Sequence, residues 1–132
     1  MVAISEGDLI RAARLRELFG IKQGQSVESA IHYRDKIKMK ERLKSKKINV
    51  PIFIKAENAT DIIQFAQTRE KPENFESFVI KPSCGMSSVN TTAIRSDQDL
   101  EKFFKSGILE KLTEGMDINF GLDVEKFVHG PM

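Results

Sequence analysis

Apolar residues in the first third of the chain recur three or four positions apart, as on one face of an α-helix. The first such run comprises Leu9, Ala12, Ala13, Leu15, Leu18 and Phe19. Ser5 and Asp8 resemble a capping box ahead of this run, and Gly20 is a typical helix stop after it. A loop then leads into a second, brief helix, predicted over residues 26–32.

A third helix is predicted from about residue 34 to residue 46. Met39 and Leu43 lie one turn apart within it and are the expected buried seam. The pair Val50-Pro51 follows, and a proline disfavours helical geometry in the residue before it. The helical part of the chain is therefore expected to end there.

Beyond this proline the pattern changes to short β-rich runs that alternate with helices. Strands are predicted at residues 52–54, 78–80, 89–94 and 124–128, and helices after Asn58 and after Ser96. This order indicates a mixed α and β fold, with helices covering a sheet. The last strand resembles an amphipathic edge strand without a neighbour on its far side, so we expect a fragment that can self-associate along that edge.

Composition places the chain among globular proteins of one-domain size. It has 132 residues, of which 40% are hydrophobic and 30% charged. No apolar run approaches the ~20 residues that span a bilayer, and the start lacks the features of a secretory signal. The single cysteine, Cys84, excludes an internal disulfide. We expect a cytoplasmic protein that does not enter a membrane.

The net charge of +2 argues against a protein dominated by nucleic-acid contacts. Basic residues nevertheless crowd one stretch: Arg34, Lys36, Lys38, Lys40, Arg42, Lys44, Lys46 and Lys47. Such a row is usually a solvated helix face. A basic-helix module for nucleic acid is the alternative, but it requires aromatic residues for stacking and only Tyr33 is close.

The segment FVIKPSCGMSSV, residues 78–89, is typical of a phosphate site. A buried strand ends at Lys81, and a turn of small residues follows, whose backbone N–H groups can form an anion-binding concavity. Ser87 and Ser88 add hydroxyl donors. The lysine precedes the glycine, so this is not a Walker A loop. An ordinary hairpin with a solvated lysine is the alternative.

Metal and thiol chemistry find little support in the sequence. His32 and His129 have no histidine or cysteine companions at metal-binding spacing. Cys84 has no close histidine partner and is interpreted as structural.

Four segments, taken in order, resemble the ATP-grasp superfamily, in the branch of biotin carboxylase, carbamoyl-phosphate synthetase and carboxylate–amine ligases. They are RDKIKMKERLKSKKINVP, FVIKPSCGMSSV, SDQDLEKFF and VEKFVHG. The resemblance covers nearly the whole chain. It implies an α/β (α+β) fold with a helical linker over residues 1–49. Residues 50–132 would then form the lid subdomain, a small, mainly antiparallel sheet with helices packed on it, truncated at its C-terminal end.

The resemblance also implies roles for single residues. Lys36 would contact nucleotide phosphate, and Lys81 would bridge the α- and β-phosphates. The loop from residue 83 to residue 88 would close over the triphosphate, and the residues near the end of the chain would read adenine, largely through backbone groups. The implied contacts are Ser83, Gly85, Ser87 and Ser88 in the loop and Glu125, Lys126 and Val128 in the last strand.

The function implied by the resemblance is ATP binding within a ligase that activates a carboxylate as an acyl phosphate for attack by an amine. Catalytic residues are not identified, and Mg²⁺ would be held only by residues downstream of this chain. The chain alone is expected to be inactive. A non-catalytic interaction domain of the same fold is a further alternative, beside the nucleic-acid module.

Overall fold

A computed structural model describes residues 4–68, 77–85, 90–114 and 121–128 of the chain. The chain divides into two compact units, Met1–Val50 and Pro51–Met132. The boundary coincides with the change from helical to β-rich pattern at the Val50-Pro51 pair.

The first unit is helical. A 3-10 turn, Glu6–Asp8, leads into α1 (Leu9–Leu18), and α2 (Val27–Arg34) and α3 (Lys36–Ser45) follow. Side-chain caps explain where α2 and α3 begin: Ser26 accepts from the N–H of Ser29, and Asp35 accepts from the N–H groups of Ile37 and Lys38. Gly20 follows α1 with a φ of 67°, the left-handed conformation that commonly ends helices.

The predicted seam of α3 is wrong. The buried residues of this helix are Ile37 and Lys40, whereas Met39 is 37% exposed and Leu43 is only partly buried. Burial of Lys40 also means that the basic row is not uniformly solvated. Its aliphatic stem can occupy a position on the inner face of a helix that offers few apolar residues.

The second unit combines a four-stranded sheet with three helices in the described residues. Its elements are β1 (Phe53–Ala56), α4 (Ala59–Gln67), β2 (Phe78–Pro82), β3 (Thr92–Ile94), α5 (Asp97–Lys105), α6 (Ile108–Thr113) and β4 (Leu122–Lys126). The strand order is β1-β4-β2-β3, and all three pairings are antiparallel. The predicted fold class, an antiparallel sheet with helices packed on it, is confirmed. Helix α6 was not predicted.

The prediction that the last strand is an edge is wrong. Strand β4 lies inside the sheet, paired with β1 on one side and β2 on the other. Leu122 and Val124 are buried in the core, as expected of a central strand. Both partners precede β4 in the chain, so its neighbours are already present. Self-association along this strand therefore loses its structural basis.

One face of the sheet carries the core of the second unit. It is built from Ala56, Ile62, Phe65, Ala66, Phe78, Ile80, Ile94, Phe103, Leu112, Leu122 and Val124. Phe65 of α4 meets Phe78 of β2 edge to face, with ring centroids 5.6 Å apart. Because side chains alternate along a strand, the neighbours of these core residues point to the opposite face.

Candidate functional site

The face of the sheet opposite the core carries four charged side chains. They are Lys55 on β1, Lys81 on β2, and Asp123 and Glu125 on β4. Phe53 and Val79 share this side, because they are the register partners of Glu125. We call these six residues the polar face. Three strands of a packed sheet position them, which gives this cluster a rigid base.

Asp123 lies at the centre of a row of charges. It is the register partner of Lys55 on one side and of Lys81 on the other. Lys81 forms an ion pair with Glu125, and its Nζ lies 3.9 Å from Asp123 Oδ2. The exposed fraction is 22% for the Lys81 side chain, 13% for Glu125 and 0% for Asp123. With so little water around them, these charges interact more strongly than exposed pairs do.

Lys55 is the third member of this row of charges, and its side chain lies close to Gly121, directly before β4. A Cβ placed on Gly121 would meet Lys55 Cε at 2.7 Å and the carbonyl oxygen of Ala56 at 3.2 Å. The stem of Lys55 therefore lies over Gly121, at a point where the absence of a side chain is required.

The turn after β2 is held by the sheet. Ser83 is fully buried, and its N–H donates to the carbonyl of Gly121 at 3.0 Å. The N–H of Gly85 donates to the carbonyl of Pro82 at 3.2 Å. Both N–H groups thus have partners within the protein in this structure. The predicted loop residues Ser87 and Ser88 lie outside the described residues.

The other end of β4 carries the three residues predicted to read adenine. The N–H of Lys126 donates to the carbonyl of Ile52 at 2.8 Å, and Val128 is 65% exposed. Lys126 follows Glu125 and therefore points to the other face of the strand. The Lys126 side chain therefore does not lie on the polar face. Only backbone atoms of Lys126 could contact a ligand bound beside Glu125.

Lys36 belongs to the first unit. It is the first residue of α3, directly after the buried cap Asp35, and it is partly exposed. The structure therefore brings Lys81, Ser83, Gly85 and Glu125 together in one part of the second unit. Lys36 is not part of this group, because it belongs to the first unit.

Lys55, Phe53, Val79 and Asp123 are not among the site residues predicted from the sequence. Period-two alternation in residues 122–126 places Asp123 on the side of Glu125, and this signal was available. The cross-strand partners were not, because antiparallel register depends on pairings distant in sequence.

Helices α2 and α3 enclose a pocket of about 540 Å³. It is lined by Ser26, Glu28, Ser29, His32, Tyr33, Met39, Arg42 and Leu43. Tyr33 and His32 supply aromatic rings to this surface, and Arg42 supplies a guanidinium. Lys38, on the same helix, is 53% exposed beside Glu41, as expected of a solvated face.

Within the described ranges, no group of three or more His, Cys, Asp or Glu side chains could hold a metal ion. No helix in the described part of the chain is both long enough and apolar enough to cross a membrane.

Comparison with known proteins adds the family context. The sequence profile of the ATP-grasp domain matches residues 33–122, more than half of the chain. A search of curated protein sequences finds no match to this chain. The fold is similar to L-amino acid ligase from Bacillus licheniformis (18% identity, TM-score 0.66), with 98% of this chain and 26% of that chain covered.

Two D-alanine–D-alanine ligase structures are also similar. The Helicobacter pylori protein has 19% identity and a TM-score of 0.64, with 96% of this chain and 36% of that chain covered. The Bacillus anthracis protein has 19% identity and a TM-score of 0.66, with 94% of this chain and 37% of that chain covered. The chain thus spans only about a quarter to somewhat more than a third of these structures.

Proposed function

This chain belongs to the ATP-grasp family, and we propose that it binds ATP as part of a ligase. In this proposal the parent protein activates a carboxylate as an acyl phosphate, and an amine or similar nucleophile then displaces the phosphate. Residues 1–49 act as a helical linker, and residues 50–132 act as the lid subdomain of the ATP-grasp core. The solved structures with similar folds include ligases for amino acids, which supports this reaction class.

The observation that carries the proposal is the polar face. Lys81 is the second-last residue of β2, a strand buried on its other side, and the predicted phosphate turn follows this strand. The Lys81 side chain is 22% exposed, and its ammonium pairs with Glu125, a partner that a phosphate could replace. A cation fixed on a rigid sheet is suited to phosphate, because little side-chain entropy remains to be lost on binding.

The face also has a direction that suits a nucleotide. Lys81 and the turn at Ser83–Gly85 lie at one end, where β4 begins, and Glu125 lies towards the other end. Phe53 and Val79 flank Glu125 and provide apolar surface for a ring. We propose phosphates at the Lys81 end and adenine at the Glu125 end. Backbone groups of Lys126 and Val128 would read its edge.

The Lys81–Glu125 ion pair has a consequence for binding. Phosphate contact by Lys81 competes with Glu125, so nucleotide binding exchanges one anionic partner for another. Gly85, Ser87 and Ser88 would close over the triphosphate, and the buried Ser83 would hold the start of this turn on the sheet. Contact of Lys36 with nucleotide phosphate stays a prediction of the family resemblance. If the parent protein holds Mg²⁺ with other residues, the ion would offset part of the phosphate charge beside Lys81.

Calorimetry of ATP binding tests the proposal. Lys81→Met keeps the length and the apolar stem of the side chain but removes its charge. We expect ATP to bind more weakly by ~1.5–3 kcal/mol, the typical contribution of a hydrogen bond to a charged group. Lys105→Met is the matched control, because Lys105 is 74% exposed on α5 and pairs with Glu101. Equal ATP affinity in both variants would contradict the proposal.

A second measurement addresses catalysis. The 132-residue chain is expected to show no ADP formation from ATP with or without Mg²⁺, because no group of three or more His, Cys, Asp or Glu side chains among its described residues could hold the metal ion. ATP turnover by this chain would show that the site is placed wrongly. Salt-dependent RNA binding without ATP binding would favour the nucleic-acid alternative. Absence of both would favour a non-catalytic interaction domain.

A further inference from the structure

We propose that Asp123 is a positioning residue that holds the Lys81 ammonium at the phosphate end of the polar face. The inference deepens the proposed function and rests on it for the identity of the ligand. It starts from an unassigned feature, a carboxylate with no exposed surface in the middle of a charged row. Burying a carboxylate is costly unless a cation or hydrogen bonds compensate for the lost water.

The register supplies the geometric argument. Asp123 is directly opposite Lys81, whereas Glu125 is opposite Val79, two positions back along β2. The two carboxylates therefore attract the same ammonium from different positions on β4. Asp123 attracts it from directly across the sheet, at the level of Lys81 itself, and Glu125 attracts it towards the adenine end.

The two carboxylates also differ in freedom. Asp123 has the shorter side chain and is 0% exposed, and the lysine-bearing strands β1 and β2 flank it. Glu125 has one more rotatable bond and is 13% exposed. When nucleotide enters, Glu125 can release Lys81, whereas Asp123 cannot move away from it. Asp123 thus remains as a fixed counter-ion while Lys81 changes its second partner from Glu125 to phosphate.

Removal of the Asp123 charge should then leave Lys81 attached to Glu125 alone, displaced from the phosphates. The effect should fall on phosphate binding and spare the binding of adenine and ribose. A purely structural role would weaken every ligand equally. Comparison of ATP with adenosine therefore separates the two roles.

The experiment is calorimetric titration of wild type, Asp123→Asn, Lys81→Met and the double variant with ATP and with adenosine. We expect Asp123→Asn to weaken ATP binding about tenfold, as for loss of a charge-assisted contact, with adenosine affinity unchanged. The double variant should bind ATP no more weakly than Lys81→Met alone, because Asp123 acts through Lys81. Equal weakening of both ligands, or additive effects on ATP, would overturn the inference.

Asp61→Asn is the matched control. Asp61 accepts a hydrogen bond from the N–H of Glu57 at 2.9 Å, at the start of α4. Its loss should lower stability without changing the ratio of ATP to adenosine affinity. If Lys81→Met weakens ATP binding and Asp123→Asn does not, the inference fails and the proposed function stands.

If wild type binds no ATP, the proposed function fails, and the inference is then decided by stability. A double-mutant cycle on the free energy of unfolding should show coupling between Asp123 and Lys81, and additivity would overturn it. If Asp123→Asn does not fold, the inference is tested instead by a crystal structure of wild type with a non-hydrolysable ATP analogue. Lys81 should remain beside Asp123 and have left Glu125, and the reverse arrangement would overturn the inference.

Discussion

The two units of this chain are stabilised in different ways. The second unit has a core with several large side chains, including Phe65, Phe78 and Phe103, each at most 5% exposed. The buried apolar residues described in the first unit are Ala12, Ala13, Ala30 and Ile37, three of them alanines. Leu18 and Phe19, at the end of α1, are 75% and 68% exposed.

Small side chains let helices approach closely, but they bury little apolar area, and buried area is the main source of stability. We therefore expect α2 and α3, which have side-chain caps, to depend more on those caps. The second unit obtains its stability from the core on one face of its sheet, which leaves the other face available for charged residues. The candidate site occupies the better-packed unit, as expected for a site that requires fixed geometry.

The largest effect should come from the core of the second unit. Phe78→Ala removes a fully buried ring in edge contact with Phe65, and it should lower the free energy of unfolding by ~3–5 kcal/mol. Phe19→Ala in the first unit is the control, because that ring is mostly exposed and should change stability by about 0.5 kcal/mol or less. Urea unfolding compares the two. Similar losses would contradict the contrast between the units.

The family could be identified from sequence because its motifs occur in a fixed order, and the profile match confirms it. Helix starts were also predicted well where a polar cap marks them. Ser26, Asn58 and Ser96 each accept a backbone N–H at the start of the next helix. These signals are local, so one short segment contains all the information needed.

The predictions that were wrong concern features that depend on contacts between residues distant in sequence. Alternation in residues 124–128 predicts a strand but not its neighbours, so β4 was predicted as an edge although it pairs with β1 and β2. The seam of α3 failed for a related reason. Ile37 and Lys40 are buried instead of Met39, and which side of a weakly amphipathic helix is covered depends on its packing partner. The role of Asp123 required the same long-range register.

A smaller effect is expected from the caps. Asp35 is 5% exposed and accepts two N–H groups at the start of α3, whereas Asn58 is exposed and accepts one at the start of α4. Asp35→Ala should cost ~1–2 kcal/mol and Asn58→Ala ~0.5–1 kcal/mol, both within the range known for caps. Hydrogen exchange at α3 and α4 measures each loss locally. A larger loss at Asn58 would show that caps matter no more in the first unit than in the second.

The smallest effect is expected at the exposed end of α1. Leu18→Gln keeps a good helix former and removes apolar surface that is already 75% in water. The free energy of unfolding should therefore change by about 0.5 kcal/mol or less. Ile63→Gln on α4 is the comparison in the second unit, where the side chain is 39% exposed and more burial is lost. Chemical unfolding of both variants gives the ranking. A loss at Leu18 equal to that at Ile63 would mean that Leu18 is covered in solution, so that the first unit buries more apolar surface than its alanine-rich interior provides.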